Sequence, residues 1–123
     1  MFKLMQIRVE MEQWDEVNRI GWAEAMEKFP KIEARQSLSM GADNFHDSYM
    51  ELFTHVADIE VTDLEEAFLV HNNPYGNDKY ETLITRYGTQ HSMSVGDVLI
   101  GEYGDVHVVD GCGFVQQMSA TAP

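Results

Sequence analysis

The heptapeptide HSMSVGD, in the last third of the chain, carries the side-chain types that a serine hydrolase uses. A serine hydroxyl becomes a nucleophile when a histidine takes its proton and a carboxylate orients that histidine. Such a site would need Ser92 or Ser94, His91 or His55, and Asp97 within hydrogen-bond reach of one another around a pocket. The hydrolase hypothesis therefore depends on whether the fold gathers these residues.

Cys112 is a second candidate nucleophile, and it lies between Gly111 and Gly113. A cysteine needs a base or a positive field to form its reactive thiolate, whereas the nearby Asp110 supplies negative charge. We therefore predict that Cys112 is a small residue within a turn. A single cysteine cannot form an internal disulfide, which suits a reducing compartment and predicts a cytoplasmic protein.

Five histidines and 21 acidic residues raise the question of a metal site. The histidine and cysteine spacings that hold metals, such as HxxxH, HxH or a cysteine pair, do not occur, so we expect no metal and no cofactor. His55 and His71 fall on the apolar sides of a predicted strand and a predicted helix, and hydrogen-bonded core histidines are the favoured interpretation. The candidate site residues are His55, His91, Ser92, Ser94, Asp97, Asp110 and Cys112.

More than half of the nine glycines fall between residues 91 and 114, and they either cradle a ligand or make turns. A phosphate-binding loop would open a helix, but strand-like sequence follows these glycines and no lysine lies nearby. The runs VGDVLIG and DVHVVD, joined by EYG, predict a β-hairpin, and FVQQM predicts a third strand after the turn DGCG. We therefore expect turns and no binding loop.

Hydrophobic alternation predicts further strands at MQIRVEME, with Met5 and Ile7 on one side and Gln6 on the other, at LFTHVADIEV and at ETLITRY. In the second strand, His55 shares a face with Phe53, Ala57, Ile59 and Val61.

A helix is expected between residues 12 and 30, split by Gly21 and ended by Pro30, and a further helical turn before Gly41. Thr62 and Glu65 form a capping box that predicts another helix, and the asparagine pair at residues 72 and 73 is expected to end it. The prediction is one α+β domain over residues 1–118, with a frayed tail at 119–123. Its small antiparallel sheet has four to six strands, open or barrel-like, with two or three helices packed on it.

The formal net charge of −13 opposes binding to phosphate, and the eight basic residues are scattered. We therefore expect no direct binding to the nucleic-acid backbone. The acidic residues are read as a solubilising surface, and the alternative is a nucleic-acid mimic that inhibits a basic DNA-binding protein. No run of 18 apolar residues occurs, so no membrane association is expected.

The second half of the chain, residues 53–118, resembles the YodL-like domain family. The matching residues are Leu64, Phe68, Asn72, Ser92, Ser94, Val95, Gly96, Asp97, Val98, Val109, Asp110, Gly113 and Phe114. His91 stands where arginine is usual, and Cys112 is an addition to the pattern. The family resembles accessory modules of bacteria, phages and mobile elements, which implies interaction more than turnover and supplies no catalytic residues.

These observations predict a small acidic accessory protein that acts by protein–protein interaction without catalysis. Short antiparallel sheets have open edges that a second copy can cover, so we also expect a homo-oligomer. The protein partner itself is not identified by the sequence. The nucleic-acid mimic and the hydrolase remain the alternatives.

Overall fold

The computed structural model describes residues 1–73, 76–111 and 113–117. Within these ranges the strands are β1 (Phe2–Gln6), β2 (Thr54–Ile59), β3 (Ile84–Arg86), β4 (Val98–Ile100), β5 (Val106–Asp110) and β6 (Gly113–Gln117). The α-helices are α1 (Met11–Ile20), α2 (Trp22–Lys28), α3 (Pro30–Ser39), α4 (Leu64–Asn72) and α5 (Asp78–Glu81), and two 3₁₀ helices span Ala42–Asn44 and Asp47–Leu52. Cys112 and the predicted tail at 119–123 lie outside the described residues.

The six strands form one antiparallel sheet in the order β3-β2-β1-β4-β5-β6. The α+β prediction and the strand number are therefore confirmed, as are the β4–β5 hairpin and the returning strand β6. Because β3 and β6 lie at opposite ends and do not pair, the sheet is open and the barrel-like option was wrong. More helices form than the two or three predicted.

Strand β1 occupies the middle of the sheet, and it begins and ends earlier than the alternation predicted. Its buried residues are Phe2, Leu4 and Gln6, so the prediction that Gln6 faces away from the core was wrong. The alternation of apolar residues along a strand indicates which of its faces is buried. Here the polar residue Gln6 also points inward, because its side-chain amide forms hydrogen bonds with buried groups.

The first three helices are separated at Gly21 and Pro30, as the sequence predicted. Gly21 adopts a φ of +87°, a region that favours glycine, and it divides α1 from α2. Pro30 follows the end of α2, and it also starts α3, where its missing amide hydrogen costs no helical hydrogen bond. The predicted helical turn before Gly41 is the end of a ten-residue helix.

The N-cap of helix α4 lies one residue later than predicted. Asp63, not Thr62, is the N-cap residue, and its Oδ1 accepts a hydrogen bond from the amide of Glu65 at 3.1 Å. Both residue types cap helices, and a carboxylate adds a favourable interaction with the helix dipole. The asparagine end signal is confirmed, because Asn73 adopts the left-handed conformation at the C-cap.

Two hydrophobic clusters lie on opposite faces of the sheet. Leu99 packs in the cluster that includes Ala67 and Val70 of α4, whereas its neighbour Val98 packs in the cluster that includes Ala34 and Leu38 of α3. Successive side chains of a strand point to opposite faces, so α4 covers one face and α3 the other. Among the described residues, no helix has the length and apolar character needed to cross a bilayer.

Candidate functional site

A cavity of about 360 Å³ lies between the helices α1–α3 and the turn that precedes β4. We call it the tryptophan pocket, and its lining is Ile7, Trp14, Trp22, residues 35–36, residues 38–39 and residues 94–97. The expectation that the glycine-rich stretch makes turns and nothing else was therefore too narrow, because its first turn also forms one wall of a cavity. The segments that meet here come from distant parts of the sequence.

Asp97 is the most unusual residue of this lining, because its carboxylate is buried, with only 5% of the residue exposed. Its Oδ2 accepts hydrogen bonds from Nε2 of Gln6 and from the amide of Ser94, both at 3.0 Å. Within the described part of the chain its Oδ1 accepts none. One oxygen of a buried carboxylate is thus left for a further donor.

Burial raises the pKa of the Asp97 carboxyl to about 6, and the nearby His91, the Ser94 and Gln6 hydrogen bonds and Arg35 oppose that rise. A pKa above the ordinary 3.8 means that the folded state favours the protonated form more than the unfolded state does. The stability that protonation contributes is complete below about pH 4 and is lost as the pH rises through about 6. At neutral pH the protein therefore carries a buried charge that costs stability.

Gln6 holds the turn to the centre of the sheet through its side-chain amide. Nε2 donates to the carbonyl oxygen of His91 at 2.9 Å as well as to Asp97, and Oε1 accepts from the His91 amide at 3.2 Å. The residue is fully buried, and its amide hydrogens and its oxygen are all used. Asn72 binds the same segment from α4, because its side chain exchanges hydrogen bonds of 2.7 and 3.1 Å with the backbone of Met93.

The His91 ring lies between the turn and Arg35. Its Nδ1 lies 2.8 Å from the carbonyl oxygen of Ser92, 3.3 Å from Nε2 of Gln6 and 3.8 Å from Oδ2 of Asp97. Its Nε2 lies 3.4 Å from Nη1 of Arg35. Both ring nitrogens therefore face other groups of the protein.

Arg35 and the two tryptophans form the opposite wall. Nη1 of Arg35 donates to the carbonyl oxygen of Ile7 at 3.1 Å, and the guanidinium carbon lies 5.8 Å from the ring centroid of Trp14. The Trp14 and Trp22 rings meet edge to face with centroids 6.0 Å apart, and half of Trp22 is exposed. The pocket thus combines an aromatic wall, one cation and one buried carboxylate.

Gly96 allows the turn to approach helix α3. Its φ is +93°, and a Cβ placed on it would lie 2.8 Å from Cβ of Leu38, which is less than real side chains tolerate. Leu38 is itself 1% exposed, so it has little room to move away. The prediction that Gly96 lies in a turn is confirmed. The close approach of this turn to Leu38 closes one side of the tryptophan pocket.

The hydrolase geometry does not form around these residues. Asp97 and Ser94 line the pocket and His91 lies beside Asp97, but Nε2 of the histidine faces Arg35 and its Nδ1 faces the carbonyl oxygen of Ser92. Ser92 and Ser94 are exposed, and within the described ranges neither hydroxyl is hydrogen-bonded to a histidine. Neither Ser92 nor Ser94 is therefore activated by a histidine in the described structure.

The remaining candidates are placed elsewhere. His55 is half-buried on β2, its Nε2 lies 2.8 Å from Oδ1 of Asp58, and its ring packs on Tyr87, so it has the predicted partner but is not a core residue. Asp110 accepts a hydrogen bond from the amide of Ala42 at 3.3 Å.

His71 is buried and hydrogen-bonded to Gln90 through Nε2, which confirms the predicted core histidine. Cys112 lies outside the described residues.

Comparisons with protein-family models, with curated proteins and with solved structures find no match for this chain. The resemblance to the YodL-like family therefore stays a prediction, as does the nucleic-acid mimic. Over the ranges that the structure describes, no three or more His, Cys, Asp or Glu side chains are grouped so that they could hold a metal ion.

Proposed function

We propose that this protein acts by binding, as a non-enzymatic accessory protein, and that the tryptophan pocket is its binding site. The observation that carries the proposal is Asp97, a buried carboxylate that lines the pocket with Oδ1 left for a donor. A buried charge lowers stability, and groups of this kind cluster where proteins bind or react. The position of His91, whose Nε2 faces Arg35, supports binding over hydrolysis.

The aromatic wall supports the same proposal. Ligand pockets combine apolar and aromatic surface with a few fixed polar groups, and the volume of about 360 Å³ lies in the range of small-molecule sites. Gln6 and Asn72 hold the turn from two sides, so the polar groups keep their positions before a ligand arrives.

The test is a fragment screen followed by NMR on ¹⁵N-labelled protein. We expect hits whose amide shifts concentrate at residues 94–97 and on α3, and Trp22→Ala should weaken them about five- to ten-fold through loss of aromatic contact. Tyr103→Ala is the matched control, because this exposed aromatic residue lies outside the pocket, and it should leave binding unchanged. Hits that avoid the pocket, a screen without hits, or equal binding by Trp22→Ala would each contradict the proposal.

Self-association is a second candidate function, and the open sheet favours it. β6 lies at the end of the sheet, is five residues long and contains the half-buried Phe114 and Val115. Such an edge presents backbone groups to which another strand can pair. The opposite edge, β3, has three residues and includes Arg86, so β6 is the better candidate.

Light scattering at increasing concentration tests this candidate, and we expect a dimer. Lysine blunts edge pairing, so Gln116→Lys on β6 should yield a monomer, while Asn18→Lys on the exposed side of α1 makes the same charge change and should remain dimeric. A wild-type monomer at millimolar concentration would disprove self-association.

A further inference from the structure

The polar groups of the tryptophan pocket limit what it can hold. Oδ1 of Asp97 can accept from a ligand donor, and the guanidinium N–H groups of Arg35 beyond Nη1 suit a ligand acceptor. A simple cation would meet Arg35, and a simple anion would meet Asp97. The complementary ligand is neutral overall and carries a donor and an acceptor.

The aromatic wall adds a requirement of shape. Trp14 and Trp22 line the pocket, and flat π-systems pack well against indole rings. Stacking of a nucleobase on an aromatic side chain contributes roughly 1–3 kcal/mol and tolerates any base, since each has a π-face. Nucleobases also carry amino or imino donors beside carbonyl or ring-nitrogen acceptors on one edge.

The negative net charge of the chain further restricts the class of ligand. With 21 acidic and eight basic residues, the protein opposes the approach of phosphate groups. A free base or nucleoside avoids that repulsion, and a nucleotide does not.

We infer that the tryptophan pocket binds a neutral nucleobase or nucleoside, stacked on the indole wall, with its donor on Oδ1 of Asp97 and its acceptor toward Arg35. This inference rests on the proposed binding function and names the ligand class. It also agrees with the predicted lack of binding to the nucleic-acid backbone, because recognition here excludes phosphate.

Isothermal titration with guanosine, adenosine, cytidine and uridine tests the inference, with each 5′-monophosphate in parallel. Trp14 and Trp22 are the only tryptophans of the chain, so quenching of intrinsic fluorescence gives a second readout from the same site. We expect at least one nucleoside to bind and its monophosphate to bind at least ten-fold more weakly.

Asp97→Asn should weaken nucleoside binding at least ten-fold. The hydrogen bonds from Gln6 and Ser94 keep the asparagine oxygen at the Oδ2 position, so its NH₂ group replaces Oδ1 and meets the ligand donor. Asp43→Asn, an exposed residue outside the pocket, removes the same charge and should bind as wild type does. Should Asp97→Asn fail to fold, Trp22→Ala serves instead, because Trp22 is half exposed and should lose binding without losing the fold.

No nucleoside binding at millimolar concentration, equal binding of the monophosphates, or unchanged binding by both variants would overturn the inference. Fragment hits in the pocket together with an absence of nucleoside binding would reject this ligand class and keep the proposed binding function. An absence of both fragment hits and nucleoside binding would reject the proposed binding function together with the proposed ligand class.

Discussion

Replacing Gly96 with alanine is expected to lower the free energy of unfolding by about 3–5 kcal/mol. The new Cβ would lie 2.8 Å from Cβ of Leu38, a buried atom close to the backbone of α3, so the helix must shift away from the turn. The φ of +93° adds the strain of a left-handed conformation. Urea denaturation followed by circular dichroism measures the change.

Gly21→Ala separates the two causes. Gly21 has a similar φ of +87°, but a Cβ there would meet nothing within 4 Å. With its ψ at 165°, Gly21 adopts a conformation that costs other residues about 1–3 kcal/mol, and this variant should lose only that amount. If the two variants are equally destabilised, the close packing of the turn on α3 contributes nothing, and the pocket wall is less rigid than its geometry indicates.

Replacing Gln6 with leucine should destabilise the protein by about 4 kcal/mol at pH 7.5. The change leaves the backbone of His91 and the Asp97 carboxylate without their amide partner inside the core. The Gln6 hydrogen bond lowers the pKa of Asp97, so its loss favours the protonated form. The destabilisation should therefore be about 1 kcal/mol smaller at pH 4.5 than at pH 7.5.

Gln13→Leu is the matched control for this substitution. Among the described residues, Oε1 of Gln13 is buried without a hydrogen-bond partner, so the same chemical change removes an unsatisfied oxygen. It should leave stability within about 1 kcal/mol of wild type or raise it. A similar loss for both variants, or a loss for Gln6→Leu that does not depend on pH, would contradict the role assigned to Gln6.

Local patterns predicted most of the elements. Gly21, Pro30 and the asparagine pair gave correct helix boundaries, and the glycine spacing gave the hairpin and β6. These features depend on the backbone preferences of glycine, proline and asparagine over a few neighbouring residues, so they can be recognised from the local sequence alone. The start of β1 was missed because the register of a strand is set by its partners, and the partners of β1 are distant in the chain.

Of the two walls of the tryptophan pocket, the sequence singled out residues only in the wall formed by the turn before β4. The sequence drew attention to His91, Ser94 and Asp97, but our predictions gave the two tryptophans and Arg35 no role in a site. Long-range contacts join these groups: Gln6 and Asp97 are 91 positions apart, and Arg35 and His91 are 56 positions apart. A signal did exist in β1, where Gln6 follows Phe2 and Leu4 at strand spacing and so occupies a position that apolar residues otherwise fill.

The central place of β1 in the sheet has a consequence for how the chain acquires its structure. β1 pairs with β2 and β4, so the middle of the sheet closes only when residues near 100 are available. Contacts of such long sequence separation slow folding, because the entropy of closing large loops is lost before the pairing stabilises anything. During synthesis the helices α1–α3 can form early, yet the pocket between them and residues 94–97 waits for nearly the whole chain to leave the ribosome.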